Sequence, residues 1–319
     1  MRWGILGAAN FARKTMGPAI HAARGAELVA LATSSPDKAA PFEAFAPGLK
    51  IHQDYGALLA DDSIEAVYIP LPNHLHVEWT LKALEAGKHV LCEKPMALRE
   101  SDFDALIEAR DASGKLAAEA FMIVHHPQFA RAKELVQGGA IGDLRFVDTV
   151  FSYFNTDATN IRNRADAGGG GLFDIGVYTF GSTRFVTGGE PIRIRDARLD
   201  LENGVDVFAQ VSADFETFSY AATVSMRMAS RQYLTFHGDK GHLTMTAPFN
   251  ANLYDVAQLT LETLDGKRTS ERWPPANHYV LQVEAFEQSA RTGEPYPCPL
   301  EFSRGTARMM DMVFEAGGT

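Results

Sequence analysis

A lysine, an aspartate and a tyrosine stand out in this chain as residues that could move or orient a proton. Lys94 lies in the segment Glu93–Pro95, directly after the apolar run His89–Cys92. If that run is a parallel strand, its carboxyl end opens on the crevice where such sheets bind ligands. Asp174 and Tyr178 are four residues apart, so on a helix they share one face. Together these residue types suit general acid–base chemistry.

Each of these residues also has an ordinary structural interpretation. Lysine is usually solvated, although Pro95 ends its segment and fixes how Lys94 is presented. Asp174 and Tyr178 follow a run of four glycines, Gly168–Gly171, and glycine allows the backbone to approach another group closely. The same pattern fits a flexible loop, an acid at a helix start and a buried tyrosine. The residues alone leave both interpretations open.

A turn of small residues follows the first apolar run of the chain. It approximates the dinucleotide fingerprint G-x-G-x-x-G/A with Gly7, Ala8, Ala9, Asn10, Phe11 and Ala12. Gly7 supplies the tight turn and Ala12 the small residue where helix packs on strand, while Ala9 replaces the middle glycine. We expect backbone N–H groups here to face a pyrophosphate at a helix N-terminus. The alternative is a small-residue turn of any α/β domain.

The end of the second predicted strand bears on the choice between NAD and NADP. NAD enzymes tend to place Asp or Glu there, whereas this chain has Thr33, Ser34 and Ser35, with Lys38 close by. Thr33, Ser34 and Lys38 could hold a 2′-phosphate, which favours NADP. NAD stays possible because the arginine typical of strong NADP binders is missing. Ser35 could instead cap the next helix.

Two kinds of hydrophobic pattern divide the chain near residue 122. Before it, strand-like and helix-like segments alternate, which predicts a doubly wound parallel sheet of the Rossmann type over residues 1–122. After it, long alternating segments separated by turn signals predict a large, mostly antiparallel open sheet. The predicted fold class is therefore α/β plus α+β. Residues 123–319 would form an α+β domain for substrate binding and oligomerisation.

Composition excludes several classes of protein. The chain has 40 acidic and 30 basic residues and a net charge of -10, which gives it no electrostatic reason to bind nucleic acid or an anionic membrane. Its two cysteines are too few for a disulfide framework and suit a reducing compartment. The apolar run at the start is too short for a signal peptide, and no stretch is long enough for a membrane span. A cytoplasmic protein is expected.

Four segments resemble, in order and spacing, the glucose-fructose oxidoreductase / inositol dehydrogenase / MocA (Gfo/Idh/MocA) family. They are Gly4–Ala12, Pro72–His76, Glu93–Pro95 and Gly169–Tyr178, and the resemblance covers nearly the whole chain. A tyrosine at the position of Tyr178 resembles one branch of this family. That branch holds glucose-fructose oxidoreductase, NADP-dependent xylose dehydrogenases and dimeric dihydrodiol dehydrogenases. The chain departs from this pattern at Ala9, and at Val124, where that branch is expected to carry arginine.

The resemblance implies an NAD(P)-dependent oxidoreductase that moves a hydride to or from a sugar or a related hydroxylated small molecule. It implies Lys94, Tyr178 and Asp174 in the active site. Further residues are implied along the cofactor beside Lys94, with Glu93 near the nicotinamide ribose: Leu71, Pro72, Asn73, His76 and Glu93.

Two assignments of the proton transfer remain open. An ordinary tyrosine has a pKa of about 10, too high for a base near neutrality, and a nearby lysine cation favours its phenolate. Tyr178 would then be the acid/base, with Lys94 polarising the developing carbonyl and Asp174 orienting the substrate. If the roles are exchanged, Lys94 transfers the proton and Tyr178 orients.

Three further residues are candidates for the substrate site. Arg162 and Arg164 precede the glycine run and could bind substrate hydroxyls or a cofactor phosphate, or simply form a solvated basic loop. His126 is expected in the wall between the domains, in contact with substrate. No metal is expected, because His74 and His76 lack the further ligands that a zinc site needs.

The same residues leave two alternative functions open, and the pattern of the second domain predicts an oligomer. The protein could be a reductase of a non-sugar carbonyl or diol, or a non-catalytic NADP-responsive regulator, although the pairing of Lys94 with Tyr178 favours an enzyme. An open sheet with alternating apolar positions tends to bury its outer face. A homodimer or higher homo-oligomer through the second domain is therefore predicted.

Overall fold

The computed structural model describes residues 1–318, which divide into two compact units. The first unit comprises Met1–Met122 and His278–Arg304, and the second comprises Ile123–Asn277 and the chain from Gly305 onward. The sequence pattern predicted two consecutive domains. The structure differs because a late segment returns to the first unit, where Phe286 packs against the fully buried Trp3 with ring centroids 5.2 Å apart.

The first unit is built on a six-stranded parallel sheet in the order β3-β2-β1-β4-β5-β6. This is the doubly wound order of dinucleotide-binding domains. Its strands are β1 (Arg2–Leu6), β2 (Glu27–Ala32), β3 (Lys50–His52), β4 (Ala66–Ile69), β5 (His89–Cys92) and β6 (Ala117–Glu119). Its helices are α1 (Gly17–Ala22), α2 (Pro36–Glu43), α3 (Tyr55–Leu59), α4 (His76–Glu85), α5 (Asp102–Ser113) and α8 (His278–Thr292).

The central strands of this sheet are mostly apolar because helices cover both faces. Every residue of β4 is buried, and so are the last four of β1. The helix after β1 begins with a π-helical stretch, Ala12–Met16, before it continues as α1. π-Helical stretches are rare in proteins, and those that occur often lie at functional sites.

The second unit is built on an eight-stranded sheet in the order β14-β13-β12-β11-β7-β10-β9-β8. All its neighbours are antiparallel except the parallel pair β7 and β10. Its strands are β7 (Leu144–Phe154), β8 (Pro191–Glu202), β9 (Val205–Phe215), β10 (Ser219–Ser225), β11 (Arg227–Gly238), β12 (Gly241–Met245), β13 (Gln258–Thr263) and β14 (Arg268–Arg272). Its helices are α6 (Pro127–Gln137) and α7 (Val177–Thr187), and α9 (Leu300–Ala316) starts in the first unit and ends in this one. The predicted fold class is confirmed.

The two faces of this sheet differ in chemistry. Along β9, Ala209, Val211 and Ala213 are buried, whereas Gln210 and Ser212 between them are exposed or half-buried. The alternation was expected, and the outward positions Gln210 and Ser212 on this strand are polar. Within the described residues, no helix is long and apolar enough to cross a bilayer.

Candidate active site

A cleft of about 510 Å³ opens at the carboxyl ends of the first unit's strands. Gly7 follows β1, Thr33 follows β2 and Pro70 follows β4, which is where open α/β sheets bind nucleotides. The cleft is lined by Gly7, Ala8, Ala9, Thr33, Ser34, Ser35, Lys38, Gln53, Asp54, Tyr55, Gly56, Pro70, Leu71, Pro72 and Trp79.

The turn after β1 has the geometry that a pyrophosphate needs. Gly7 has a φ of +102°, and a Cβ there would lie 3.0 Å from Leu71 Cδ2, so a larger residue would be both strained and crowded. The following helix closes its first hydrogen bond from Arg13 N to Ala9 O, at 3.0 Å. The N–H groups just before Arg13 are therefore not used by the helix and suit an anionic ligand.

Three predicted residues of this turn have side chains outside the lining of the cleft. Ala12 is fully buried, as its place between helix and strand requires. The ring of Phe11 packs edge-on against Tyr279 of α8, with centroids 5.7 Å apart. Asn10 is exposed at the helix start. These residues shape the turn, and their side chains lie outside the lining of the cleft.

The cleft wall beyond β2 carries hydroxyls and a lysine. Thr33 Oγ1 accepts a hydrogen bond from Ser35 N at 3.2 Å, which folds the chain so that Ser34 and Lys38 both line the cleft. Ser35 is the residue before α2, and its side chain makes no cap bond among the described contacts. Ser35 also lines the cleft. Asp54 Oδ1 caps α3 by accepting from Ala57 N at 2.7 Å.

Sequence reasoning missed one side of this cleft. Gln53–Gly56 and Trp79 line it, and the rings of Tyr55 and Trp79 meet edge-on at 4.9 Å. The position of Gln53–Gly56 directly after β3 could have revealed this side of the cleft, since residues after a parallel strand face the crevice. That strand has three residues, too few for a recognisable period.

Hydrogen bonds fix the backbone around Lys94 on both sides. Glu93 accepts from the Tyr68 hydroxyl at 2.6 Å and from Lys94 N at 3.2 Å. The Lys94–Pro95 peptide bond is cis, and Met96 N donates to Glu119 at 2.8 Å. The half-buried Lys94 is therefore presented from a rigid loop at the carboxyl end of β5.

His76 lies beneath this loop and not on the surface of the cleft. The side chain is completely buried, and its two ring nitrogens lie 2.7 Å from Leu71 O and 2.7 Å from Pro95 O. Burial lowers the pKa of His76 to about 4, while the two carbonyl contacts oppose that shift. His76 therefore bridges two loops, and its contact with a cofactor stays a prediction. Asn73, three residues earlier, stays partly exposed.

Asp174 is the centre of a polar cluster in the second unit. It lies in a π-helical stretch, Leu172–Gly176, that continues into α7. Asp174 Oδ2 pairs with Arg162 Nε at 2.8 Å and accepts from the Tyr153 hydroxyl at 2.7 Å. Asp174 raises the pKa of the Arg162 guanidinium, and burial, aided by Asp174, raises that of Tyr153. The predicted Arg162 thus belongs with Asp174, and Tyr153 is a member that the sequence did not reveal.

Tyr178 lies at the start of α7 and is 7% exposed. Its ring packs against Phe151, with centroids 5.8 Å apart, and against Phe249, at 6.0 Å. Phe151 on β7 and Phe249 in the segment after β12 thus form an aromatic wall against the ring of Tyr178.

Arg164 and His126, both predicted to bind substrate, have hydrogen-bond or ion-pair partners close by in the chain. Arg164 pairs with Asp166 two residues away and is about half exposed, as the solvated-loop interpretation expects. His126 is fully buried, and its Nδ1 caps α6 by accepting from Gln128 N at 3.2 Å. His126 thus caps a helix, and its contact with a substrate stays a prediction.

Comparison with known proteins identifies the family. Residues 1–121 match the Gfo/Idh/MocA model described as "Oxidoreductase family, NAD-binding Rossmann fold". Residues 129–244 match the model of the Gfo/Idh/MocA C-terminal domain.

Relatives match the chain along nearly its whole length. A D-xylose 1-dehydrogenase (NADP(+)) of Haloferax volcanii is 35% identical, over 100% of this chain and 98% of its own length. A dTDP-3,4-didehydro-2,6-dideoxy-alpha-D-glucose 3-reductase of Streptomyces violaceoruber is 36% identical, over 91% of this chain and 85% of its own. The crystal structure of a 3-ketoreductase from Actinomadura kijaniata with NADP and TDP-benzene matches with a TM-score of 0.91 at 31% identity, covering 99% of this chain and 97% of that one. The predicted resemblance is confirmed, and the chain belongs to the Gfo/Idh/MocA family of oxidoreductases.

Proposed function

We propose that this protein is an NADP-dependent oxidoreductase that transfers a hydride between nicotinamide and a CH–OH or carbonyl carbon of a sugar. The observation that carries the proposal is the cleft in the first unit. It joins the glycine turn at Gly7 to a wall of hydroxyls and a lysine at the end of β2.

The chemistry of this wall favours NADP over NAD. Ser34 and Ser35 offer hydroxyl donors and Lys38 offers a cation, which are the groups that a 2′-phosphate prefers. An acid that binds ribose hydroxyls is typical of NAD enzymes at the end of β2, and Ala32 is followed there by Thr33. Asp54, the carboxylate in the lining, already accepts from Ala57 N.

The cofactor, when bound, supplies the hydride chemistry. The protein supplies the proton transfer, which we assign to Lys94 and Tyr178. One of them exchanges a proton with the substrate oxygen, and the other stabilises the charge that develops there. Asp174 orients a substrate hydroxyl, and its pairing with Arg162 and Tyr153 holds the carboxylate in one place.

The substrate class follows from the relatives. Two of them are named for a free aldose and for a nucleotide-linked keto sugar, so a hydroxylated sugar ring is the common element. The direction of transfer on this chain is set by which of the two substrate types it accepts.

We further propose a homo-oligomer assembled through the open face of the eight-stranded sheet, in a reducing, cytoplasmic setting. The face is broad, and Phe146 at its centre strand is 37% exposed. Cys92 and Cys298 are buried thiols rather than halves of a disulfide, which suits a reducing compartment. Light scattering that gives a monomer mass at micromolar concentration would contradict the assembly.

The proposal is tested by titrating the protein with NADPH and NADH while following nicotinamide fluorescence. We expect tighter binding of NADPH. Lys38→Ala should weaken NADPH binding about 10-fold, because a hydrogen bond to a charged group contributes about 1.5 kcal/mol or more, and should leave NADH binding unchanged. Lys267→Ala, an exposed turn lysine of the second unit, is the matched control.

Turnover is then tested with D-xylose and other aldoses in the presence of NADP⁺, by absorbance of the reduced cofactor. Reduction of the cofactor by at least one aldose is the expected result. Tight NADPH binding without turnover on any aldose or keto sugar would favour a regulator, and binding of neither cofactor would contradict the whole proposal.

A further inference from the structure

The glycine run before Asp174 is a packed socket rather than a flexible loop. A Cβ on Gly169 would lie 2.6 Å from the carbonyl oxygen of Arg162, and one on Gly170 would lie 2.3 Å from Asp206 Oδ1. A Cβ on Gly171 would lie 3.1 Å from Asp206 Oδ2. These distances leave no room for side chains at Gly169 and Gly170. The carboxylate of Asp206 fills the space beside Gly170 and Gly171, and backbone carbonyl oxygens fill the space beside Gly169.

That carboxylate belongs to Asp206, which is 3% exposed and lies near the start of β9. Asp206 Oδ2 accepts a hydrogen bond from Leu172 N at 2.7 Å. Leu172 is the first residue of the π-helical stretch, so the carboxylate meets the positive end of the helix. A buried carboxylate is costly unless hydrogen bonds satisfy it, and the backbone N–H groups of the socket provide them.

We propose that Asp206 is a positioning residue for the reaction, whose carboxylate locks the glycine socket and thereby fixes the helix start that carries Asp174 and Tyr178. The inference rests on the proposed function, since it assigns Asp206 a part in the same proton transfer. Asp206 acts through other residues, so it is distinct from the groups that touch substrate.

Two connections carry the position of Asp206 to Asp174. Through the backbone, Asp174 N donates to Gly170 O at 3.0 Å, and Gly170 N donates to Arg162 O at 2.9 Å. The socket therefore places Asp174 and its partner Arg162 together. A shift of the socket would move both members of the ion pair.

The second connection runs through side chains. Val205 and Val207 flank Asp206 on β9 and form a buried cluster with Met226. Tyr153, whose hydroxyl donates to Asp174, packs against this cluster. One strand thus supports Asp174 from two directions, through the socket and through the ring of Tyr153.

The test compares Asp206→Ala, Asp206→Asn and a matched control, Asp214→Asn. Asp214 lies on the same strand and pairs with Arg193 and Arg195, away from the socket. The readouts are the Kd for NADPH, kcat with D-xylose per NADPH-binding site, and amide hydrogen exchange of residues 169–178. Counting kcat per binding site removes any loss of folded protein.

We expect Asp206→Ala to lower kcat on the order of 10- to 100-fold, since misplacing a reacting group by about 1 Å costs about 10²-fold. The Kd for NADPH should stay within about twofold, because the cleft belongs to the first unit. Asp206→Asn keeps an oxygen for the Leu172 N–H, so its kcat should fall between Ala and wild type. Faster amide exchange should be confined to residues 169–178, and Asp214→Asn should behave as wild type.

Either of two results would overturn the inference. One is a kcat per site in Asp206→Ala equal to that of wild type. The other is unchanged amide exchange over residues 169–178. If the wild-type chain turns over no sugar, the proposed function fails by itself, and the exchange measurement alone then decides whether Asp206 locks the socket.

Discussion

The imidazole of His76 joins two loops that carry different parts of the cofactor site. Its nitrogens contact Leu71 O, in the lining of the cleft, and Pro95 O, next to Lys94. The motif Pro72–His76 singled out His76, but a sequence pattern does not say whether a side chain points outward or inward. A fully buried ring acts on the site through the backbone that it holds.

His76→Ala is therefore expected to destabilise the first unit and to weaken cofactor binding together. The variant removes the ring that joins the two loops and the N–H that a neutral imidazole donates to one of the two carbonyl oxygens, which should lower the free energy of unfolding by about 2–4 kcal/mol. His74→Ala, an exposed neighbour, is the control and should change it by less than about 0.5 kcal/mol. Urea unfolding followed by tryptophan fluorescence measures both, and equal stability of the two variants would contradict the bridge.

The protonation of Asp206 gives a second prediction for a single residue. Burial is the main cause that raises its pKa to about 6, with a smaller contribution from the charge of Asp174, while backbone hydrogen bonds oppose the shift. An unfolded aspartate has a pKa of about 4. The folded chain therefore binds this proton more tightly, and the ionisation of Asp206 destabilises the fold as the pH rises from about 4 to about 6.

Asp206→Asn removes this dependence and leaves the other acids in place. The free energy of unfolding of the variant minus that of wild type should increase by about 2 kcal/mol between pH 4 and pH 7. Urea denaturation of both proteins at intervals of half a pH unit measures the difference. A difference that stays constant across this range would show that Asp206 has an ordinary pKa in the folded chain.

Among the elements, the two helices that serve the site share one irregularity. The helix after β1 and the helix that leads into α7 both start with π-helical stretches, Ala12–Met16 and Leu172–Gly176. Residue spacing such as that between Asp174 and Tyr178 cannot distinguish a π stretch from an α-helix, because the spacing over five residues is almost the same in both. The local widening became visible only with the backbone.

The glycine socket makes a prediction at this scale. Gly170→Ala should lower the free energy of unfolding by about 3 kcal/mol, because φ is +129° and the new Cβ would meet Asp206 Oδ1 at 2.3 Å. Gly266→Ala has a φ of +80° with nothing within 4 Å, so it should cost only about 1 kcal/mol. Thermal unfolding measures the two variants. Equal costs would mean that the socket yields to a methyl group.

Particular elements show how far sequence reasoning reaches. Strand β5 was predicted with the bounds it has, His89–Cys92, since its apolar run is strong over its whole length. Strand β3 is too short to show a period, and β14, with four of its five residues exposed, lacks an apolar face. Asp206 lies 32 residues beyond Asp174 in no motif, so only the folded chain could reveal their connection.

At the scale of the whole molecule, the order of segments along the chain is not their order in space. Residues 278–304 belong to the first unit, where Glu287 of α8 accepts from Trp3 Nε1 at 2.7 Å. The single predicted boundary at residue 122 could not show this return, because pattern reasoning assigns a segment to the domain that precedes it in sequence.

The central claim is that the first unit binds the cofactor and that Lys94 and Tyr178 move the proton. The most direct test is to measure NADPH binding and turnover with the accepted sugar in wild type, Lys94→Ala and Tyr178→Phe. We predict that all three bind NADPH with Kd values within about threefold, and that both variants lose at least about 10²-fold in kcat. Full turnover in either variant would contradict the central claim.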